Sequence, residues 1–331
     1  MATPAAQLDQ LIASTFDKLK SSVVDQITQK NRVTAALNTS SSVKEDGGLS
    51  IRTPVMYALN DTIKSYSGYD VLDTTPQGGL GYIEYQWRLF AGAITISGEE
   101  KLKNAGGAAV VNLVKFKLDQ FEASMAEELA QWFWATGTVR PDAATRGAKD
   151  ILSIPDLVGN TGTLGGIDSA TDAWWQSYVV PTGTPVDLTA LSGVRKIGSI
   201  VNSLEIQGSR PDFIFTTQAN FEAYEALSTS RVQFQQAKLA DLGFTAVAFR
   251  GQEVVLEPYV PKFTAGANDG GAMYFLNSKN VQFYQHSNRW MDRTEFMRPV
   301  DQDAETMQVL SMGNLATDCR RAHGVIKATV V

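Results

Sequence analysis

Residues 98–134 read GEEKLKNAGGAAVVNLVKFKLDQFEASMAEELAQWFW, and the organisation of the chain follows from them. Val110, Val114, Leu118, Phe121, Met125, Leu129 and Trp132 recur in steps of three and four, which puts them on one face of an α-helix. At about 1.5 Å per residue a helix over 103–134 reaches roughly 45–50 Å. Globular helices average about 11–12 residues. A helix of this length reads as a spine on which the rest of the chain hangs.

Upstream, two extended runs rich in β-branched and aromatic residues, TPVMYAL (53–59) and YIEYQWRLFAGAITI (82–96), flank SYSGYDVLDTTPQGGLG. Gly68, Pro76, Gly78, Gly79 and Gly81 make the middle a turn region. The pattern predicts a long hairpin. Two strands alone are marginal in water, so the hairpin needs a surface to lie on, and a partner subunit can supply one. Two strands of an ordinary sheet fit the same pattern. Tyr66, Tyr69, Val71, Leu72 and Tyr82 are its candidates for intersubunit contact. Further upstream, Leu8, Leu11, Ile12, Phe16, Leu19, Val23 and Ile27 form the apolar stripe of an amphipathic helix over 6–29. The polar stretch NTSSSVKEDGG (38–48) behind it reads as a tether. The segment is therefore expected to be an arm that docks Leu8, Leu11 and Phe16 on a neighbour, the alternative being a helix packed on its own domain.

Downstream, Trp174 and Trp175 are expected to point to opposite faces of an extended segment, at least one of them buried. Residues 187–204 carry helical spacing, with Asp187 or Thr189 as N-cap. PDFIFTTQANFEAYEAL reads as strand, turn and helix. FTAVAFRG, EVVLEPYV and AMYFLN read as strands of a mixed sheet. The segment from Glu305 onward reads as two antiparallel strands turning at Gly313 and Asn314.

The 331 residues suffice for two ordinary domains or one elaborated one, and 44% hydrophobic with 19% charged residues is normal for a core-forming chain. A net charge of −6 argues against broad nucleic-acid binding. The single cysteine, Cys319, excludes an intrachain disulfide and favours assembly in a reducing compartment. There is no secretory signal pattern and no apolar run of membrane-spanning length. With two histidines in separate segments, a His/Cys metal cluster is not expected. Cys319 and His323, four apart in an extended strand, would be roughly 13 Å apart, too far for a nucleophile–base pair. Asp301, Asp303 and Glu305 lack the glycine that a calcium loop needs, because Thr306 stands in its place. No catalytic, cofactor-binding or metal-binding residue is assigned, and no cofactor is expected. Glu99 and Glu100 suit a helix N-terminus, with an intersubunit ion pair to Arg88 or Arg52 as the alternative.

An arm, a long hairpin, a spine helix entered through ISGEEKLKNAGG, a mixed body and a C-terminal return together resemble the HK97-fold bacteriophage major capsid proteins. YIEYQWRLFAGAITISGEEKLKNAG, GIDSATDAWW and GNLATDCRRAHGVI carry the resemblance, which covers the chain from about Asn31 onward. It implies an α+β fold with an N-terminal arm (1–50), an extended E-loop hairpin (51–98) and a peripheral domain with the spine helix (99–140). An axial domain (141–299) and C-terminal strands returning to the peripheral domain (300–331) complete it. It further implies a non-enzymatic protein that self-assembles into pentamers and hexamers of an icosahedral head. The implied content is double-stranded DNA, bound without sequence specificity, and the implied place is the virion after assembly in the host cytoplasm. Portal and decoration proteins are implied partners; a membrane is not. Only about 50 residues precede the loop, so a separate scaffolding protein is expected. Some members crosslink through a loop lysine; Lys64 is the lysine of this loop, and the crosslink is not carried over to it. An encapsulin-like shell around protein cargo is the nearest alternative, and an α+β enzyme is a remote one.

Overall fold

Of the quoted stretch, Gly98–Lys103 and Leu113–Phe133 are helical and follow four strands; residues 104–112 of the expected spine helix lie outside the described residues. The computed structural model describes residues 33, 42–103, 113–137, 139–142, 145–147, 149–188, 190–206, 208–228, 246–263 and 270–330. The expected arm helix over 6–29, with Leu8, Leu11 and Phe16, lies outside them. In chain order the strands Ser42–Glu45 (β1), Ile51–Met56 (β2), Leu80–Tyr85 (β3) and Arg88–Ser97 (β4) precede helices Gly98–Lys103 (α1) and Leu113–Phe133 (α2). Helix Ile154–Leu157 (α3), strands Thr163–Leu164 (β5), Ile167–Asp168 (β6), Tyr178–Val180 (β7) and Val186–Asp187 (β8), and helix Leu191–Ser203 (α4) follow. Then come Phe213–Thr216 (β9), helix Gln218–Ser228 (α5), Ala246–Phe249 (β10), Gln252–Leu256 (β11), Met273–Leu276 (β12) and Val281–His286 (β13). Asp292–Arg293 (β14), Ala304–Thr317 (β15), Gly324–Ile326 (β16) and Thr329–Val330 (β17) end the chain.

Two sheets organise these elements. One contains β1, β13, β15, β14 and β4; the other runs β10-β11-β9-β12-β16-β7 and is mixed, as expected. The expected long hairpin is shorter than the pattern suggested. β2 pairs with β3 from Ile51 opposite Tyr85 to Met56 opposite Leu80. The second run then breaks at Gln86 and Trp87, whose carbonyl and indole are taken by Asn314 and by the Gly48 carbonyl. Beyond the break β4 pairs along its whole length with β15. Periodicity continues across such a break because both halves alternate, so the pattern could not locate it.

The expected C-terminal strand pair is also corrected. β15 is a single strand of 14 residues running straight through Gly313 and Asn314. Gly313 permits close approach and not a turn: a Cβ there would meet the Tyr284 carbonyl at 2.6 Å. Asn314 spends its amide on Gln86 and Leu152 instead of on a turn. β16 then leaves for the other sheet, between β12 and β7. The expected helix over 187–204 starts at Leu191, with Ala190 at the N-cap and Asp187 in a strand. Trp174 and Trp175 sit on a 3₁₀ turn with rings tilted by 54°, and not on an extended segment. Trp175 is buried and donates to the Leu164 carbonyl.

The end of α2 joins the sheets. Trp132 meets Phe90 of β4 edge-on at 5.2 Å, Phe133 meets Phe283 of β13 at 5.4 Å, and Trp134 meets Tyr274 of β12 at 5.2 Å. Phe133 and Trp134 are fully buried. Burial of such a side chain contributes roughly 1.5–3 kcal/mol, so three consecutive aromatics fix the helix against both sheets. The start of α1 carries a capping box. Ser97 Oγ accepts from the Glu100 amide, and the Glu100 carboxylate accepts from the Ser97 amide.

Candidate assembly surface

The β2–β3 stem is anchored to its own subunit at the base. Ile51, Ile83 and Tyr85 are buried in the main core. The Tyr85 hydroxyl donates to the Thr317 carbonyl at 2.8 Å, and burial raises its pKa beyond the usual phenol range. The Glu84 amide donates to the Gly165 carbonyl at 3.0 Å. Gly165 has φ +63, and a Cβ there would overlap Ile83, so the β5–β6 turn can press on the stem only through a glycine. That turn is held by Arg320, which is buried and donates to Leu157 O at 2.9 Å, to Asp156 O at 3.2 Å and to Ser169 Oγ. Higher up, Tyr57 stacks on Trp174 at 5.7 Å.

On the stem's outer face Arg52 lies over the Tyr82 ring at 5.5 Å and reaches Glu84 at 3.3 Å. The Ser50 hydroxyl, followed by Arg52, holds the Glu84 carboxyl below its usual range. Beyond the stem the loop folds on itself. Asn60 and Asp73 each accept from the amide and hydroxyl two residues on, closing two Asx turns, and the Thr75 groups lower the Asp73 pKa. Lys64 reaches Asp73 at 3.5 Å. The Asp70 amide donates to Ser67 O at 2.8 Å while the Ser67 amide donates to the Asp70 carboxylate at 2.7 Å, so Gly68 and Tyr69 occupy the corner of a tight turn.

The apolar candidates on this loop face water. Tyr66, Tyr69, Val71, Leu72 and Tyr82 are all exposed, as are Met56, Leu59, Ile63 and Leu80, which the sequence reading did not single out. They alternate too irregularly around glycines to register as one face. The remaining candidates lie apart. Arg88 is half-buried at the start of β4; Glu99 pairs with Lys103 one turn on, which lowers its pKa, and Glu100 closes the cap. Arg52 is engaged with Glu84 of the same chain. Tyr57, Trp174, Gly165 and Arg320, which set the stem's direction, had no periodic signal beyond the Trp-Trp pair.

The groups weighed for chemistry are accounted for structurally. His323 accepts at Nδ1 from the Asn277 amide and faces Thr317 Oγ1 with Nε2 at 3.1 Å, while Cys319 precedes a 3₁₀ turn. Asp303 pairs with Arg298, and Glu305 with Lys101 at 2.8 Å. Among the described residues no helix is long and apolar enough to cross a membrane.

No protein-family profile matches the sequence, and no curated protein matches it either. Solved structures do. The capsid of cyanophage A-1(L) superposes with a TM-score of 0.68 at 15% identity, over 95% of this chain and 96% of that one. The capsid of a native GTA particle gives 0.62 at 13% identity, over 100% and 99%. The SrpI encapsulin of Synechococcus elongatus PCC 7942 gives 0.60 at 12% identity, over 99% and 96%.

Proposed function

We propose that this chain, which has an HK97-like capsid fold, is the major capsid protein of a bacteriophage head. Copies of the chain assemble into pentamers and hexamers of an icosahedral shell around double-stranded DNA, with no enzymatic step of their own. Residues 51–98 act as the extended loop, α2 and β15 belong to the peripheral part, and most of 141–299 forms the axial part. The observation that carries the reading is the loop: between Met56 and Leu80, nine large apolar side chains stand in water on a ribbon with no second layer. Monomers rarely leave such a patch open, and a neighbouring subunit is the surface that closes it. The net charge of −6 suits a container that must not trap its DNA through counterion release. A separate scaffolding protein, a portal and decoration proteins are the partners this reading calls for.

An encapsulin-type shell is the second reading, because the SrpI encapsulin superposes with a TM-score of 0.60 beside 0.68 for the cyanophage capsid. Purified particles decide between them. Nuclease-protected double-stranded DNA inside supports the phage head, and a co-purifying enzyme with no DNA supports the encapsulin.

A further inference from the structure

The turn between β10 and β11 is built against its residue preference. Phe249 pairs with Gln252, so Arg250 and Gly251 form a two-residue hairpin loop, with φ +51 and +89. Two successive residues with positive φ mark a type I′ turn, whose first position favours Asn, Asp or Gly. An arginine there holds its Cβ in a region that L side chains rarely adopt. Polar bonding does not explain it. Arg250 is exposed, and its side chain makes no hydrogen bond or ion pair with any described residue. The guanidinium lies over the Phe249 ring at 5.4 Å and against α4, where a Cβ at Gly198 would meet its Cζ, Nη1 and Nη2 at 3.0 Å. Gly198 is a second departure, since glycine inside a helix is less favourable than alanine. Two local preferences are set aside at the place where a guanidinium is laid along a helix.

That helix presents matching chemistry. Arg195, Lys196, Ser199 and Asn202 stand on its exposed arc, and α4 contains no acidic residue. Arg195 and Asn202 lie three and four residues from Gly198, so they share the face on which Arg250 rests, while Lys196 stands on the far side of the same arc. The side chains of Arg195 and Lys196 also make no hydrogen bond or ion pair with any described residue. Just past the helix, Glu205 is taken by Arg210 at 2.8 Å. The surface therefore offers three cations with hydroxyl and amide groups between them. Phosphate backbones take their contacts from such Arg, Lys, Ser and Asn side chains.

We propose that the exposed arc of α4, together with Arg250, contacts the phosphate backbone of the nucleic acid that the shell encloses. The proposal rests on the phage-head reading and goes beyond it by naming where the wall touches its content. Three cations on a chain of net charge −6 make a weak contact that salt loosens, which suits a duplex that must leave again.

The turn and the helix provide the test. Arg250→Asn installs the Asn-Gly pair that a type I′ turn prefers, and Gly198→Ala lifts the guanidinium from α4 while improving helix propensity. Both variants should unfold at higher urea than the wild type and still bind nucleic acid less tightly. Binding is read as the anisotropy of a short labelled duplex of mixed sequence mixed with dissociated subunits. Arg195→Gln, Lys196→Gln and Arg250→Asn should each weaken it about threefold or more at low salt and reduce the slope of log affinity against log salt by about 0.9. Lys44→Gln, an exposed cation on the edge strand β1 of the other sheet, is the control and should change neither. An Arg250→Asn subunit that unfolds more easily makes the arginine structural and overturns the proposal. Equal losses from Lys44→Gln overturn it as well, as does polyglutamate binding more tightly than the duplex, which assigns the patch to an acidic protein segment. In assembled particles, acetylation of Lys196 relative to Lys44 should be about threefold slower with DNA inside than after its release, because phosphate contact shields the amine. Equal rates contradict the contact and leave the phage-head reading standing; particles that never contain DNA overturn both.

Discussion

His323 is fully buried, with both ring nitrogens engaged: Nδ1 accepts from the Asn277 amide, so Nε2 carries the proton and donates to Thr317. A second proton would set two donors facing each other away from water. Burial accordingly pushes the pKa from its ordinary 6.5 down to about 3. The unfolded chain binds a proton below pH 6.5 that the native chain refuses, so this stability is full above 6.5 and is lost as the pH falls towards 3. Urea unfolding of dissociated subunits should show a decline of a few kcal/mol across that window, and His323→Gln should flatten it. Gly92 makes a second residue-scale case. A methyl there would overlap the Phe121 ring, where α2 lies on β4. Gly92→Ala should therefore destabilise the subunit by about 1–3 kcal/mol in chemical denaturation, and Phe121→Leu alongside it should recover part of the loss. Arg320→Met leaves the Leu157 and Asp156 carbonyls without their donor, at roughly 1–3 kcal/mol for each buried acceptor. Because Arg320 holds the turn that binds Glu84, hydrogen exchange at the Glu84 amide should speed up along with the stability loss.

At the scale of elements, the hairpin divides into a stem that belongs to its own subunit and a loop that does not. Ile51, Ile83 and Tyr85 are core residues, whereas nothing from Leu59 to Leu72 reaches the core. Tyr57 still donates to the Gly79 carbonyl at 2.9 Å, so replacing residues 58–78 by Gly-Gly closes the ribbon with a two-residue turn. Circular dichroism and unfolding midpoints should be unchanged by the replacement. Loss of the fold would instead make the loop part of the subunit's own architecture. The sequence could be read for α2, for β9 to β12 and for the position of the loop, because each is bounded by a change of period or by glycines. It could not be read for the break at Gln86–Trp87, the straight course of β15 or the start of α4. Those are decided by single long-range bonds, from Asn314 to Gln86 and from Trp87 to Gly48, which leave no trace in local spacing.

At the scale of the whole molecule, the subunit joins two well-packed sheets through one helix end and projects an uncovered ribbon from them. The loop's existence was legible from its glycines and tyrosines. The pocket between the stem and the body was not, because its lining comes from residues 55–59, 174–175, 206, 318, 319 and 321, brought together only by the fold. Superposition over 95–100% of the chain at 12–15% identity indicates that the fold survives almost complete replacement of side chains. Sedimentation of the intact chain beside the chain lacking 58–78 tests the central claim most directly. The account predicts large closed particles from the first and folded, unassembled subunits or small oligomers from the second. A compact monomer from the intact chain across salt and concentration, or normal particles from the shortened one, would contradict it.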